Sequence, residues 1–314
     1  MSAARLLEAV PNFSEGRDPA AIDAIVAAVR EAGAAVLDWS ADADHHRSVV
    51  TLVGSPEVVE AAAFAAARVA VERIDLRRHS GLHPRVGALD VLPFVPLSGL
   101  TLADARNSAR RVGTRIAEEL GVPVYFYGHA SEPPGRTLAT LRRGGFETLL
   151  AAWPSDRRPD RLPAGWPHEG AHPTAGVTCV GARTLLLAWN VFVTGISDGI
   201  AARIAATLRE ANGGFLGVRA LALRLKSSGR VQISMNLENP AVTDPMDVFR
   251  RIESLVSEHG GTVEETEIIG MVPDELIWGA AAERLRLAPA TADRLLSKRL
   301  LQLMTREKES SQDE

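Results

Sequence analysis

Cysteine is nearly absent: Cys179 is the only one in 314 residues. That excludes a disulfide within the chain and a zinc site built on several thiolates, and it suits a reducing cytoplasm, the expected location. Positive charge is not in excess either. The formal net charge is −4, so no general attraction to nucleic acid or anionic lipid is expected, although a local basic pocket stays open. Long apolar runs are missing as well. The opening "MSAARLLEAVPNFSEGR" lacks the hydrophobic segment of a signal peptide, and no stretch reaches the length of a membrane span. Several catalytic signatures are also absent. There is no HExxH, no GxSxG around Ser14, and no GxGxxG or phosphate-loop lysine in "GVTCVGAR".

What is present is a globular composition, 46% hydrophobic and 24% charged, enough for two ordinary domains or one large one. Asp18-Pro19, Ser55-Pro56 and Asp244-Pro245 each pair a capping residue with proline at the first helical position. Helices are also expected after Thr101 and Ser197, with Gly33 and Gly121 closing two of the five. Between them, "AAVLDWS", "RSVVTLVG", "GALDVLPFVP", "VPVYFYG", "TLLLAWNVFV", "VRALALRLK" and "RVQISMNLE" read as strands, the last two forming a hairpin about Ser227-Ser228-Gly229. Tyr125, Phe126 and Tyr127 read as core and crevice lining, and Cys179 as a packing residue.

Strands and helices interleave throughout, which predicts an α/β (α+β) fold. Residues 5–75 read strand, helix, strand, strand, helix, and 184–280 read likewise. Each half is thus a mixed or antiparallel sheet with helices on one face, a split βαβ, ferredoxin-like arrangement. The expected division is residues 1–183, 184–290, and a charged, helical and partly disordered tail over 291–314. The region 153–176 is rich in proline, glycine and charge, and is expected to be a ligand-contacting loop.

The segment "HSGLHPRVGALDVLPF" (79–94) sets His79 and His83 four residues apart. On a helix that spacing would offer both rings to one metal, but Pro84 disfavours helical geometry at His83, and no metal is expected. A loop stiffened by proline and freed by Gly81 and Gly87 can instead present His83 as a general acid and base, with Asp90 to orient it and Arg85 to hold a carboxylate. The plainer alternative is that His83 bridges a turn. "DADHHR" (42–47) reads as a solvated turn or a substrate loop.

Taken in order, "VPNFSEGR", "DHHRSVVTLVG", "HPRVGALDVLPFVP", "VPVYFYG", "HPTAGVTCVGAR" and "IIGMVP" resemble the formiminotransferase family, from about Glu8 to about Leu287. In mammals this unit is fused to a cyclodeaminase, to which nothing here is similar. The resemblance implies a folate crevice between two subdomains, and transfer of a formimidoyl group from N-formimidoyl-L-glutamate to tetrahydrofolate, the co-substrate, in histidine degradation.

It also implies roles for particular residues. His83 falls on the catalytic histidine of the family's H-P-R-x-G-A-L-D motif. Asn12, Arg47, Arg85, Arg183 and Asn190 are the expected substrate contacts. Pro163, His172, Pro173, Thr174, Ala175 and Gly176 are the expected folate contacts. A homodimer, working with a separate cyclodeaminase, is the family expectation. Two departures stand out. Ser40 occupies the second position of a D-x-D pattern, leaving Asp42 or Asp44 to substitute, and "PDRLP" followed by "AGWPHEG" replaces a PDFGP element. The alternatives are a related one-carbon folate enzyme acting on 5-formyltetrahydrofolate, and a non-catalytic folate-binding protein.

Overall fold

Each expected helix start is capped as the local sequence dictates. Asp18 accepts from Ala20 and Ala21 N–H, Ser55 from Val58, Ser197 from Ile200 and Asp244 from Met246. Thr101 forms a reciprocal capping box with Asp104, and Gly121 closes that helix in the left-handed region at φ 68°. The computed structural model describes residues 4–240, 242–272 and 274–285. The expected tail at 291–314 lies outside them. No helix among the described residues is long and apolar enough to cross a membrane.

The chain divides into two compact units. The first runs to Leu185 and includes Leu223–Arg230. Its elements are β1 (Leu6–Ala9), β2 (Asn12–Phe13), α1 (Pro19–Glu31), β3 (Ala35–Asp42), β4 (Arg47–Gly54), α2 (Pro56–Arg73), β5 (Leu89–Ser98), α3 (Leu102–Leu120), β6 (Val124–Gly128), α4 (Leu138–Leu141), α5 (Gly145–Ala151) and β7 (Thr178–Ala182). β1 and β2 lie end to end between β4 and β5, interrupted at Val10-Pro11, and β3 pairs outside β4. The antiparallel order β3-β4-β1/β2-β5 is that of a βαββαβ unit. β7 and β6 then extend the sheet in parallel beyond β5, with α3 as the crossover helix.

α1, α2 and α3 bury one face of this sheet. α2 contributes Ala62, Ala63, Ala66, Ala67 and Ala70, each at most 1% exposed. A stripe of small residues lets the central helix approach the strands closely. The opposite face is covered at the parallel end by α4 and α5, where Leu141 and Leu149 pack on Val91, Tyr125 and Cys179. Cys179 is fully buried there, and burial pushes its thiol up to about 12, as a packing residue requires.

The second unit comprises β8 (Leu187–Thr194), α6 (Asp198–Leu208), β9 (Val218–Arg224, its last two residues grouping with the first unit), β10 (Val231–Leu237), α7 (Pro245–Glu258), β11 (Thr262–Ile269) and α8 (Asp274–Leu285). Its sheet has the order β11-β8-β10-β9, with β8 antiparallel to both neighbours. The strand order fourth-first-third-second is ferredoxin-like, so both units repeat one plan. Ile204 and Leu208 of α6 and Val248, Ile252 and Val256 of α7 pack on Val191, Val193 and Ile233.

Candidate active site

The loop joining α2 to β5 passes through one 3-10 turn, Leu76–Arg78, and is irregular from His79 to Val86. His79 and His83 therefore share no helical face, as Pro84 predicts. The loop fits only because Gly81 lacks a side chain. A β-carbon there would stand 2.3 Å from the His45 carbonyl oxygen and 2.8 Å from His46 Cβ. Gly16 makes a similar approach on the other side of the 42–47 turn, where a β-carbon would lie 2.2 Å from the Asp42 carbonyl oxygen. Three segments, 14–17, 42–47 and 79–87, thus interlock. Ser14 ties the far end by donating to the Gly87 carbonyl at 2.7 Å.

His83 is half-buried, and its Nδ1 lies 2.8 Å from the Pro84 carbonyl oxygen. A carbonyl only accepts, so this contact places the proton on Nδ1 and leaves the Nε2 lone pair unused. Burial, then the charges of Arg47 and Arg142, hold the imidazole well below its ordinary 6.5, against the opposing pull of Asp90 and the Pro84 hydrogen bond. The ring of His45 stands 6.1 Å away, centroid to centroid.

Beside it lies a buried polar cluster that the strand register creates. Asn12 pairs with Val91 and Phe13 with Leu89, which makes Asp90 the extra residue of a β-bulge, a device that re-aims a side chain. The fully buried Asp90 carboxylate accepts from Arg47 Nη1 at 2.8 Å, from the Val86 N–H at 2.8 Å, and from Arg142 Nη2. Burial alone would raise this carboxyl; Arg142 and Arg47 outweigh it and draw it down to about 2. Arg47 also donates through Nε and Nη2 to Asn12 Oδ1, at 3.1 and 2.8 Å, and burial lowers it to about 10. Asn12 is oriented by its own donation to the Val10 carbonyl. Asp90 therefore holds arginines rather than the His83 ring, whose Nδ1 is taken by Pro84.

The "DADHHR" turn is only partly solvated, because His46 sits at 8% exposure with φ 52°. Its Nε2 lies 3.2 Å from Glu15 Oε1, and His79 stacks on it. Asp42 accepts from the His45 N–H at 2.7 Å, and Asp44 accepts from Ser227 of the hairpin tip that groups with the first unit. Both carboxylates are thus held in local contacts.

Of the remaining sequence-derived residues, Thr174 and Ala175 accept through their carbonyls from the Leu76 and Ala88 N–H groups at the two ends of the histidine loop, and the others make separate contacts. Arg85 pairs with Glu147 at 2.8 Å and donates to the His79 carbonyl. Arg183 donates to the Thr184 carbonyl and lies near the buried Glu8. Asn190 belongs to the second unit, where it donates to Glu267 at 3.1 Å. His172 to Gly176 form a closed turn, His172 N–H and Gly176 N–H each donating to the other's carbonyl, and His172 Nδ1 accepts from the Ala175 N–H at 3.0 Å. Pro163 begins a separate turn, accepting from Trp166 N–H. Arg142 and Glu147 were marked by no motif, since "TLRRGGFE" carries no spacing that singles them out.

Comparison with known proteins covers both units of the chain. The family model described as "Formiminotransferase domain, N-terminal subdomain" matches residues 6–183, and "Formiminotransferase domain" matches 188–287. Glutamate formimidoyltransferase of Streptococcus pyogenes serotype M1 is 36% identical over 90% of this chain and 94% of its own length. The protein of that name from Thermoplasma acidophilum is 38% identical over 90% and 93%. The Sus scrofa formimidoyltransferase-cyclodeaminase is 39% identical over 88% of this chain, which spans 52% of that longer protein. Two family models in tandem and relatives matched nearly end to end carry one conclusion: the chain belongs to the formiminotransferase family.

Proposed function

We propose that the chain is a glutamate formimidoyltransferase, moving the formimidoyl group of N-formimidoyl-L-glutamate to N5 of tetrahydrofolate, with His83 as general base and acid. Its relatives from S. pyogenes and T. acidophilum bear that name. The observation that carries the residue assignment is the His83 hydrogen bond. With Nδ1–H tied to the Pro84 carbonyl, Nε2 is the atom left to exchange a proton.

In the first step N5 attacks the amidine carbon, and His83 Nε2 removes the N5 proton. In the second, the resulting imidazolium gives that proton to the glutamate nitrogen as its bond to carbon breaks. A free amine leaves, and no net proton is consumed. Burial and two arginines make the imidazolium more acidic than an ordinary one, which favours the second step. Holding both reactants in line supplies the rest. Asn12 and Arg47 are read as the donor's polar surroundings, and Pro163 with the His172–Gly176 turn as folate contacts. The proposed subdomain boundary lies between 183 and 184, and the cytoplasm is the proposed location of the reaction.

The test is a donor panel with purified protein and tetrahydrofolate. N-formimidoyl-L-glutamate should yield 5-formimidoyltetrahydrofolate, while N-formyl-L-glutamate is inert and 5-formyltetrahydrofolate is not consumed. His83→Ala should lower kcat by roughly a hundredfold or more. Turnover of 5-formyltetrahydrofolate alone would transfer the site to the alternative one-carbon reaction, and folate binding without any turnover would mark a non-catalytic binder.

A further inference from the structure

The buried cluster beside His83 is not electrically balanced. Two guanidinium groups, Arg47 and Arg142, meet one carboxylate, Asp90. The groups beside them do not close the gap: His83 and Cys179 are driven toward their neutral forms, and Arg136 and Asp160, which also act on Cys179, pair with each other. One positive charge is left over in a site where an uncompensated charge is costly.

The two arginines are also used unequally. Arg47 donates through Nε, Nη1 and Nη2. Arg142 donates through Nη2 alone, its Nε is buried without a partner, and Nη1 makes no hydrogen bond among the described residues. Its side chain keeps 13% exposure, so the group is not sealed from ligand. A half-used guanidinium carrying the surplus charge is built to take one more carboxylate, with the planar geometry that suits it.

We propose that Arg142 binds the α-carboxylate of the donor amino acid and thereby selects an α-amino-acid donor. This rests on the formimidoyl-transfer reading given above. Proximity decides which carboxylate. The α-carboxylate sits on the carbon that carries the departing nitrogen, the atom His83 protonates. The carboxylates of tetrahydrofolate lie beyond its p-aminobenzoyl group, far from N5. A carboxylate bound here also offsets the charge that weakens His83 as a base, so the base strengthens once the donor is seated.

The experiment compares kcat/KM for N-formimidoyl-L-glutamate and N-formimidoyl-4-aminobutyrate, which keeps the side-chain carboxylate and lacks the α one. The wild type should prefer the first by roughly tenfold to a hundredfold, the range of a charge-assisted hydrogen bond. In Arg142→Met the preference should shrink to about twofold, with KM for tetrahydrofolate unchanged. Asp90 keeps Arg47 and the Val86 N–H in that variant, so it should fold. Should it not, Arg142→Lys, which retains charge without the planar fork, should show an intermediate preference. A preference as large as the wild type's in either folded variant overturns the proposal, as does a matching rise in KM for tetrahydrofolate, which would give the carboxylate to folate. A wild type that uses both donors equally removes this inference and leaves the transferase reading standing. One that uses neither removes both.

Discussion

His46 and His79 lie face to face, their ring centroids 4.1 Å apart and their planes 9° from parallel. His79 Nε2 approaches the His46 carbonyl oxygen at 2.8 Å. Burial lowers His79 from the ordinary 6.5 to about 4, with His46 and Arg85 adding to the effect against Glu15 and the carbonyl. The unfolded chain therefore binds this proton first as pH falls, and stability present above pH 6.5 is lost on the way to about pH 4. Urea midpoints should drop between pH 7 and about pH 5.5. His83 and His172, also lowered, act in the same direction. The decisive comparison is thus with His79→Phe, which keeps a flat ring without the titration and should lose less over that window.

Asp90 is the counter-ion on which the site is assembled. Replacing it with asparagine leaves Arg47 and Arg142 buried without an anion and removes the carboxylate that holds the Val86 N–H. Breaking a buried pair from one side costs about 3–5 kcal/mol, so denaturant unfolding of Asp90→Asn should show a loss of that size. Asp42→Asn changes only a turn cap and should lose less than about 1 kcal/mol. Equal losses in the two variants would remove Asp90 from its structural role.

Gly81 is where the histidine loop touches the 42–47 turn. A methyl group there meets backbone at 2.3 Å, and a carbonyl cannot swing aside as a flexible side chain can. Gly81→Ala should therefore displace the loop, with a loss of about 1–3 kcal/mol in stability and a fall in turnover larger than that loss explains. Activity measured well below the unfolding temperature, beside an unchanged far-ultraviolet circular dichroism spectrum, separates local displacement from unfolding.

The helices were legible because their signals are local. Asp18, Ser55 and Asp244 each sit beside the proline they cap, and the hairpin at Ser227-Ser228-Gly229 closes between Leu225 and Arg230 where the polarity pattern places it. β7 was not legible as a strand. "TCVGA" is buried on both faces, so it shows no alternation, and five residues buried alike have no period to read. β11 escaped for the opposite reason, since "TVEETEII" is a charged edge strand. In the site, His83 was marked by its loop. Arg142 was not, because its meaning comes from Asp90, 52 positions away in sequence, and from a bulge that no residue pattern announces. His46 was read as part of a solvated turn because nothing in "DADHHR" reveals that His79 will cover it.

The same cluster makes a signed forecast for the pH dependence of catalysis. If His83 acts as the base, kcat/KM falls on the acid side as its imidazole is protonated. The limb should lie below 6.5, since burial, Arg47 and Arg142 all disfavour the imidazolium, while Asp90 and the Pro84 carbonyl favour it and His45 is the nearest other ring. Removing a cation and removing the anion must then act oppositely. Arg142→Met should carry the acid limb to higher pH, toward the ordinary histidine value. Asp90→Asn, assayed below its unfolding midpoint, should carry it lower. A shift of half a unit is resolved by rates measured every few tenths of a unit from pH 5 to 8, and corresponds to about 0.7 kcal/mol of differential interaction. Two variants that move the limb the same way, or leave it in place, would mean that the titrating group is not His83.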